Sequence, residues 1–217
     1  MVNQFSGYLE KEEVRAIINA VPNVSPHAER DALLFEVLWE SGARVSEALA
    51  LMPKMVGLTD LTLPNLKQSK IVKIDDKTMK VKDPMAIKEV EVSANLCSVL
   101  KEYCSKNDIG PDDYIFKSDI KPNCHLTPWY VWNTMNKASE FAGVYRLGKR
   151  NPRTGGRRKG AYPHLFRHSN AMLLLEETRD IDIVSQQLGH SSIKTTQIYA
   201  YTKKPKIKRE VAKIDWE

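Results

Sequence analysis

Several common features are missing from this chain of 217 residues. It has three cysteines, an odd number with no CxxC pair, which argues against a disulfide framework and a cysteine-rich zinc site. No apolar run approaches the roughly 20 residues needed to cross a membrane. No charged segment followed by an apolar stretch marks a secretory signal. We therefore expect a cytoplasmic protein, or one held at the nucleoid, without a membrane partner.

The charge is moderately basic and unevenly distributed. Lysine and arginine number 33 against 27 aspartate and glutamate, a net charge of +6, which is compatible with a polyanionic partner but is weak evidence alone. Between residues 146 and 159 every charged side chain is basic, and interleaved glycines indicate an exposed loop or hairpin. These basic residues are Arg146, Lys149, Arg150, Arg153, Arg157, Arg158 and Lys159.

The apolar spacing predicts a mainly α fold with a small antiparallel β-sheet, an α+β class. An apolar content of 42% supports an ordinary globular core. In the middle of the chain, alternation over residues 71–74, 79–82 and 89–92 predicts three short strands. Helical spacing predicts helices over residues 8–18, 27–41, 44–51, 95–106, 127–142, 164–177, 180–188 and 192–199.

The last third of the chain carries residues suited to phosphodiester chemistry. His164 and Arg167 are three residues apart, hence on one helix face. His190 begins a new segment, and Tyr199 follows about two and a half helical turns later. A guanidinium binds phosphate oxygens and stays charged, histidine moves protons near neutral pH, and a tyrosine phenolate is a nucleophile.

Each of these residues has an ordinary structural explanation when taken alone. A His–Arg pair on a helix is usually solvated, a tyrosine near a helix end is usually packing, and His190 after Gly189 could cap a helix. Only their order and spacing together point to chemistry.

Three segments of the chain resemble the tyrosine recombinases, the lambda-integrase or Xer-like family. They are the first-arginine segment at 41–51, the HxxRH segment at 163–169, and the LGHSSIxTTxxY segment at 188–199. The resemblance covers residues 8–202. It implies the catalytic domain fold of that family, as residues 1–202, followed by a basic tail, 203–217.

The resemblance also implies roles for individual residues. Arg44 and Arg167 match the two arginines that clamp the scissile phosphate. His164 and His190 match the two positions that also contact this phosphate, and Tyr199 matches the nucleophile. Neither a metal ion nor another cofactor is implied.

A lysine on a β-hairpin serves as general acid in the family. Lys82 is the best match, with Lys80 and Lys88 as alternatives, because the hairpin sequence departs from the family's glycine–lysine pattern. Glu47 lies where the family often has an acidic residue that orients the first arginine. His168 is interpreted as structural.

The implied function is site-specific recombination, in which double-stranded DNA is cut and rejoined through a phosphotyrosine. Type IB topoisomerase activity and a DNA-binding protein without catalysis are the alternatives. The tail implies assembly on DNA, from dimer to tetramer, by packing against a neighbouring protomer. Most relatives carry an N-terminal core-binding domain that is absent before the first helix, which suggests a truncation or a short form of the family.

Overall fold

The computed structural model describes residues 7–66, 69–74, 77–82, 86–121, 123–144 and 160–189, with only the backbone described for 69–74 and 77–82. The helices in these ranges are α1 (Lys11–Ala20), α2 (Ala28–Ser41), α3 (Val45–Leu49), α4 (Ala94–Lys106), α5 (Pro128–Phe141), α6 (Pro163–Thr178) and α7 (Ile181–Leu188). The strands are β1 (Asp60–Pro64), β2 (Ser69–Ile74), β3 (Lys77–Lys82) and β4 (Ile87–Glu91), and single 3₁₀ turns cover Val21–Asn23 and Pro53–Met55.

The helix boundaries follow local capping chemistry. The Thr127 side chain accepts a hydrogen bond from the backbone N–H of Tyr130, with Pro128 at the first helical position of α5. Gly42 ends α2 in the left-handed region, at φ +58°. None of the helices in the described ranges is both long and apolar enough to span a bilayer.

Helix α2 lies at the centre of the core and packs against α6. Its apolar residues from Leu33 to Trp39 are buried, because other elements cover several of its faces. Phe166 of α6 meets Phe35 and Trp39 of α2 edge-to-face, with ring centroids 6.1 and 6.4 Å apart. This packing fixes α6, which carries two of the predicted site residues, against the end of α2.

The described strands form two antiparallel pairs, which corrects the prediction of a single three-stranded sheet. β1 pairs with β4. β2 pairs with β3, and this second pair lies between β1 and β4 in the sequence. The unpredicted strand, β1, alternates half-buried residues with the buried Leu61 and Leu63. The predicted fold class, mainly helical with a small antiparallel sheet, is confirmed.

Candidate active site

Arg44 is placed by the tight turn between α2 and α3. A Cβ atom at Gly42 would lie 2.7 Å from both Asn170 Oδ1 and Leu188 Cδ2, so glycine is needed for the close approach as well as for its φ. Two residues later, Arg44 is the N-cap of α3. Its side chain stays 22% exposed, so its guanidinium remains accessible from the surface.

Glu47, in the first turn of α3, holds Arg44 in this position. One carboxylate oxygen accepts from Arg44 Nη1 at 2.6 Å, and the other accepts from the Arg44 backbone N–H at 2.9 Å. The second oxygen also lies 3.0 Å from the ammonium of Lys88 on β4. The Glu47 side chain is fully buried, so its charge depends on these two cations.

Arg167 of α6 contacts the same turn. It is 2% exposed. Its Nη1 donates to the carbonyl of Gly42 at 2.5 Å, and its Nη2 donates to the carbonyl of Leu188, the last residue of α7, at 2.9 Å. Arg167 therefore contacts the turn that precedes Arg44 by two residues, and the charges of both arginines act on Lys88.

His164 and His168 lie on one face of α6, one turn apart. His164 is exposed in the first turn of the helix, and His168 is half-buried with its ring edge-on to Tyr8, at a centroid distance of 6.3 Å. Burial, with a smaller contribution from His164, lowers the pKa of His168. This environment favours a neutral His168 that packs, and it leaves His164 as the histidine that faces solvent.

The cluster of Arg44, Lys88, Arg167 and Glu47 holds three cations and one carboxylate. Burial of the Glu47 carboxyl acts to raise its pKa, but the charge of Lys88 and the hydrogen bonds from Arg44 outweigh burial and hold this pKa below its ordinary value. Burial, together with the charges of Arg167 and Arg44, lowers the pKa of Lys88 against the pull of Glu47. The excess positive charge suits an anion with several oxygens, such as a phosphodiester.

Other predicted site residues lie outside what the structure describes. The backbone of Lys82 ends β3, opposite Ser69, but the side chains of Lys82 and Lys80 are not among the described atoms. The predicted helix 192–199 and the tail 203–217 also lie outside the described residues. The same holds for His190, Tyr199, Arg146, Lys149, Arg150, Arg153, Arg157, Arg158 and Lys159.

Lys88 is the member of the cluster that was hardest to identify from the sequence. It occupies an inward position of β4, where the burial alternates between exposed and buried residues, and it is 8% exposed. A lysine on the apolar face of an alternating strand is rarely buried without a partner. That pattern was the available sign that Lys88 has an anionic partner inside the protein.

The sequence and the fold of this chain are similar to those of known proteins. The sequence model of the phage integrase family matches residues 7–205. The tyrosine recombinase XerA of Thermococcus onnurineus is 31% identical over 193 residues, which is 88% of this chain and 56% of the relative. The tyrosine recombinase XerH of Helicobacter pylori is 29% identical over 226 residues, which is 100% of this chain and 55% of the relative. The chain thus spans about half the length of these curated relatives.

Solved structures show the same fold. The crystal structure of XerA recombinase superimposes with a TM-score of 0.68 at 21% identity, covering 96% of this chain and 66% of that one. The structure of XerH bound to its difH substrate superimposes with a TM-score of 0.64 at 24% identity, covering 92% of this chain and 51% of that one. The catalytic domain of bacteriophage HP1 integrase superimposes with a TM-score of 0.56 at 18% identity, covering 95% of this chain and 94% of that one.

The Glu47 carboxylate gives the first testable prediction. Its folded pKa lies below the ordinary 4.5, so its contribution to stability is complete above that pH and is lost as the pH falls through the folded pKa. Glu47→Gln should cost on the order of 3 kcal/mol of unfolding free energy at neutral pH. In urea titrations, the difference between wild type and variant should shrink as the pH is lowered. A difference that stays constant with pH would contradict the assignment.

Proposed function

Since the chain belongs to the phage integrase family, we propose that it is the catalytic part of a site-specific tyrosine recombinase. It cleaves and rejoins double-stranded DNA through a covalent bond to Tyr199. The observation that carries this proposal is one connected cluster, in which Glu47 pairs with Arg44 and Lys88, and Lys88 and Arg167 donate to the same Leu188 carbonyl. The excess cations there fit one phosphate group.

The reaction follows from the charge of this cluster. The Tyr199 hydroxyl attacks phosphorus and gives its proton to His164, the bond from phosphorus to the 5′ oxygen breaks, and Lys82 gives that oxygen a proton. The pentavalent state carries more negative charge on its equatorial oxygens than the substrate does. Fixed donors on Arg44 and Arg167, with His164 and His190, stabilise that state selectively. The phosphotyrosine conserves the bond energy, so a 5′ hydroxyl of another strand reverses the step without ATP.

The relatives favour recombination over the two alternative functions. XerA and XerH are both named tyrosine recombinases, and XerH has been crystallised on its difH substrate. We propose that this chain likewise acts on DNA at the nucleoid, in an assembly of two to four protomers. Residues 1–202 form its catalytic domain, and the tail 203–217 contacts a neighbouring protomer.

Replacing Tyr199 by phenylalanine should abolish covalent capture of DNA and leave DNA binding intact, because only the nucleophilic oxygen is removed. The substrate is a pool of nicked duplexes with random sequence around the nick. Cleavage beside the nick releases a short strand, so the adduct cannot be rejoined. A denaturing gel in EDTA shows the adduct, and sequencing the trapped DNA identifies the preferred site.

Tyr201→Phe is the matched control, since it removes the same atom two residues away. This variant should form the adduct as the wild type does. An adduct that persists in Tyr199→Phe and disappears in Tyr201→Phe would move the nucleophile to Tyr201. If the adduct persists in both variants, neither tyrosine is the nucleophile.

We also propose that the basic segment 146–159 follows DNA phosphates beside the active site, because it immediately precedes α6 in sequence. Replacing Arg157, Arg158 and Lys159 by glutamine should weaken binding to DNA of every sequence. Each lost phosphate contact should reduce the slope of log affinity against log salt by about 0.9. Glutamine at Lys101 and Lys106, exposed on α4, is the control. An unchanged slope in the first variant would contradict the proposal.

A further inference from the structure

Lys88 lies where a charged side chain is costly. It is an inward residue of β4 and is 8% exposed, and an isolated ammonium there would cost several kcal/mol. Its ammonium lies 3.0 Å from Glu47 Oε2 and donates to the carbonyl oxygen of Leu188 at 3.3 Å. The side chain therefore connects α3, which carries the Glu47–Arg44 pair, to the end of α7.

The carbonyl of Leu188 accepts hydrogen bonds from two cationic side chains. The last carbonyls of a helix have no partner within the helix and carry its partial negative charge. Here Leu188 accepts from Arg167 at 2.9 Å and from Lys88 at 3.3 Å. The next residue, Gly189, turns out of the helix at φ +61°, and a Cβ atom there would lie 2.7 Å from Lys88 Cδ. The Lys88 side chain thus packs directly on the backbone that leads to His190.

A second contact fixes the same helix end to the same strand. The Gln187 side-chain amide donates to the Glu91 carbonyl at 2.6 Å and accepts from the Glu91 backbone N–H at 3.1 Å. β4 therefore holds the end of α7 at two points, through Gln187 and through Lys88. The path of the chain into residues 190–199 starts from this anchored end.

We propose that Lys88 is a positioning residue of the phosphate site, which ties the carboxylate that orients Arg44 to the end of α7 that precedes His190 and Tyr199. This inference rests on the proposed recombinase function. Lys88 acts through Arg44 and through the direction of the chain after Leu188. The general acid, by contrast, must reach the leaving 5′ oxygen itself, and that role remains with Lys82.

The test measures the single-turnover cleavage rate on the nicked duplex recovered from the random pool. Lys88→Met should slow adduct formation about 100-fold, the effect expected of a small misplacement of reacting groups, while DNA affinity stays unchanged. Lys88→Arg should recover most of the rate, because it restores a cation with several donors. Lys106→Met, which removes an exposed lysine paired with Glu29, should cleave like the wild type.

A substrate with sulfur in place of the bridging 5′ oxygen separates positioning from proton donation. A thiolate leaves without needing a proton, so this substrate should restore the rate of Lys82→Ala and leave Lys88→Met slow. Restoration of Lys88→Met to the wild-type rate would make Lys88 the general acid and overturn the proposal. A wild-type rate for Lys88→Met on the ordinary substrate would overturn it too, while the recombinase function would stand.

The double variant Glu47→Gln, Lys88→Met is the control for misfolding. It removes both buried charges and leaves neither uncompensated. Thermal unfolding followed by circular dichroism should show that this variant is folded. It should still cleave about 100-fold slowly, and a folded double variant with the wild-type rate would contradict the proposal. If the wild type itself forms no adduct, the recombinase function fails and this inference fails with it.

Discussion

The buried carboxylate of Glu47 is the interaction on which the rest of the site depends. A carboxylate with no exposed surface is stable only when both oxygens are paired, and here Arg44 and Lys88 supply the pairing. Arg44 is held at the surface edge of the site as a result, with its guanidinium partly exposed. The direction of the first arginine therefore depends on Glu47 and, through the second oxygen of its carboxylate, on Lys88 of β4.

The second arginine, Arg167, is held in position by the ends of two helices. Arg167 donates to the carbonyls of Gly42, which ends α2, and of Leu188, which ends α7. These carbonyls need donors in any folded state, and a guanidinium supplies several at once. The hydrogen bonds that complete the helix ends therefore also fix the Arg167 guanidinium. For the reaction we propose, such prior fixing is what makes electrostatic stabilisation of a transition state effective.

The sequence predicted most of the fold, and it named residues for the site whose roles stay predictions. The helices followed from apolar spacing and caps such as Thr127–Pro128, because these signals are local. β1 was missed because it is a short run that ends in Pro64, and proline argues against a strand. The family resemblance pointed to Arg44, Glu47 and Arg167, whose roles stay predictions, but it did not point to the Lys88 bridge. A second buried network, in which Asp31 accepts from Ser25, Arg30 and Tyr130, was also not predicted, since it depends on tertiary packing.

The most direct test of this account is the position of a DNA phosphate in a crystal structure of the Tyr199→Phe protein on its recovered duplex. One phosphate should lie within hydrogen-bonding distance, about 3 Å, of both the Arg44 and Arg167 guanidiniums. The ring at position 199, from the same protomer or a neighbour, should face the phosphorus. A complex in which the DNA lies on another surface, with the two guanidiniums contacting no phosphate, would contradict the account.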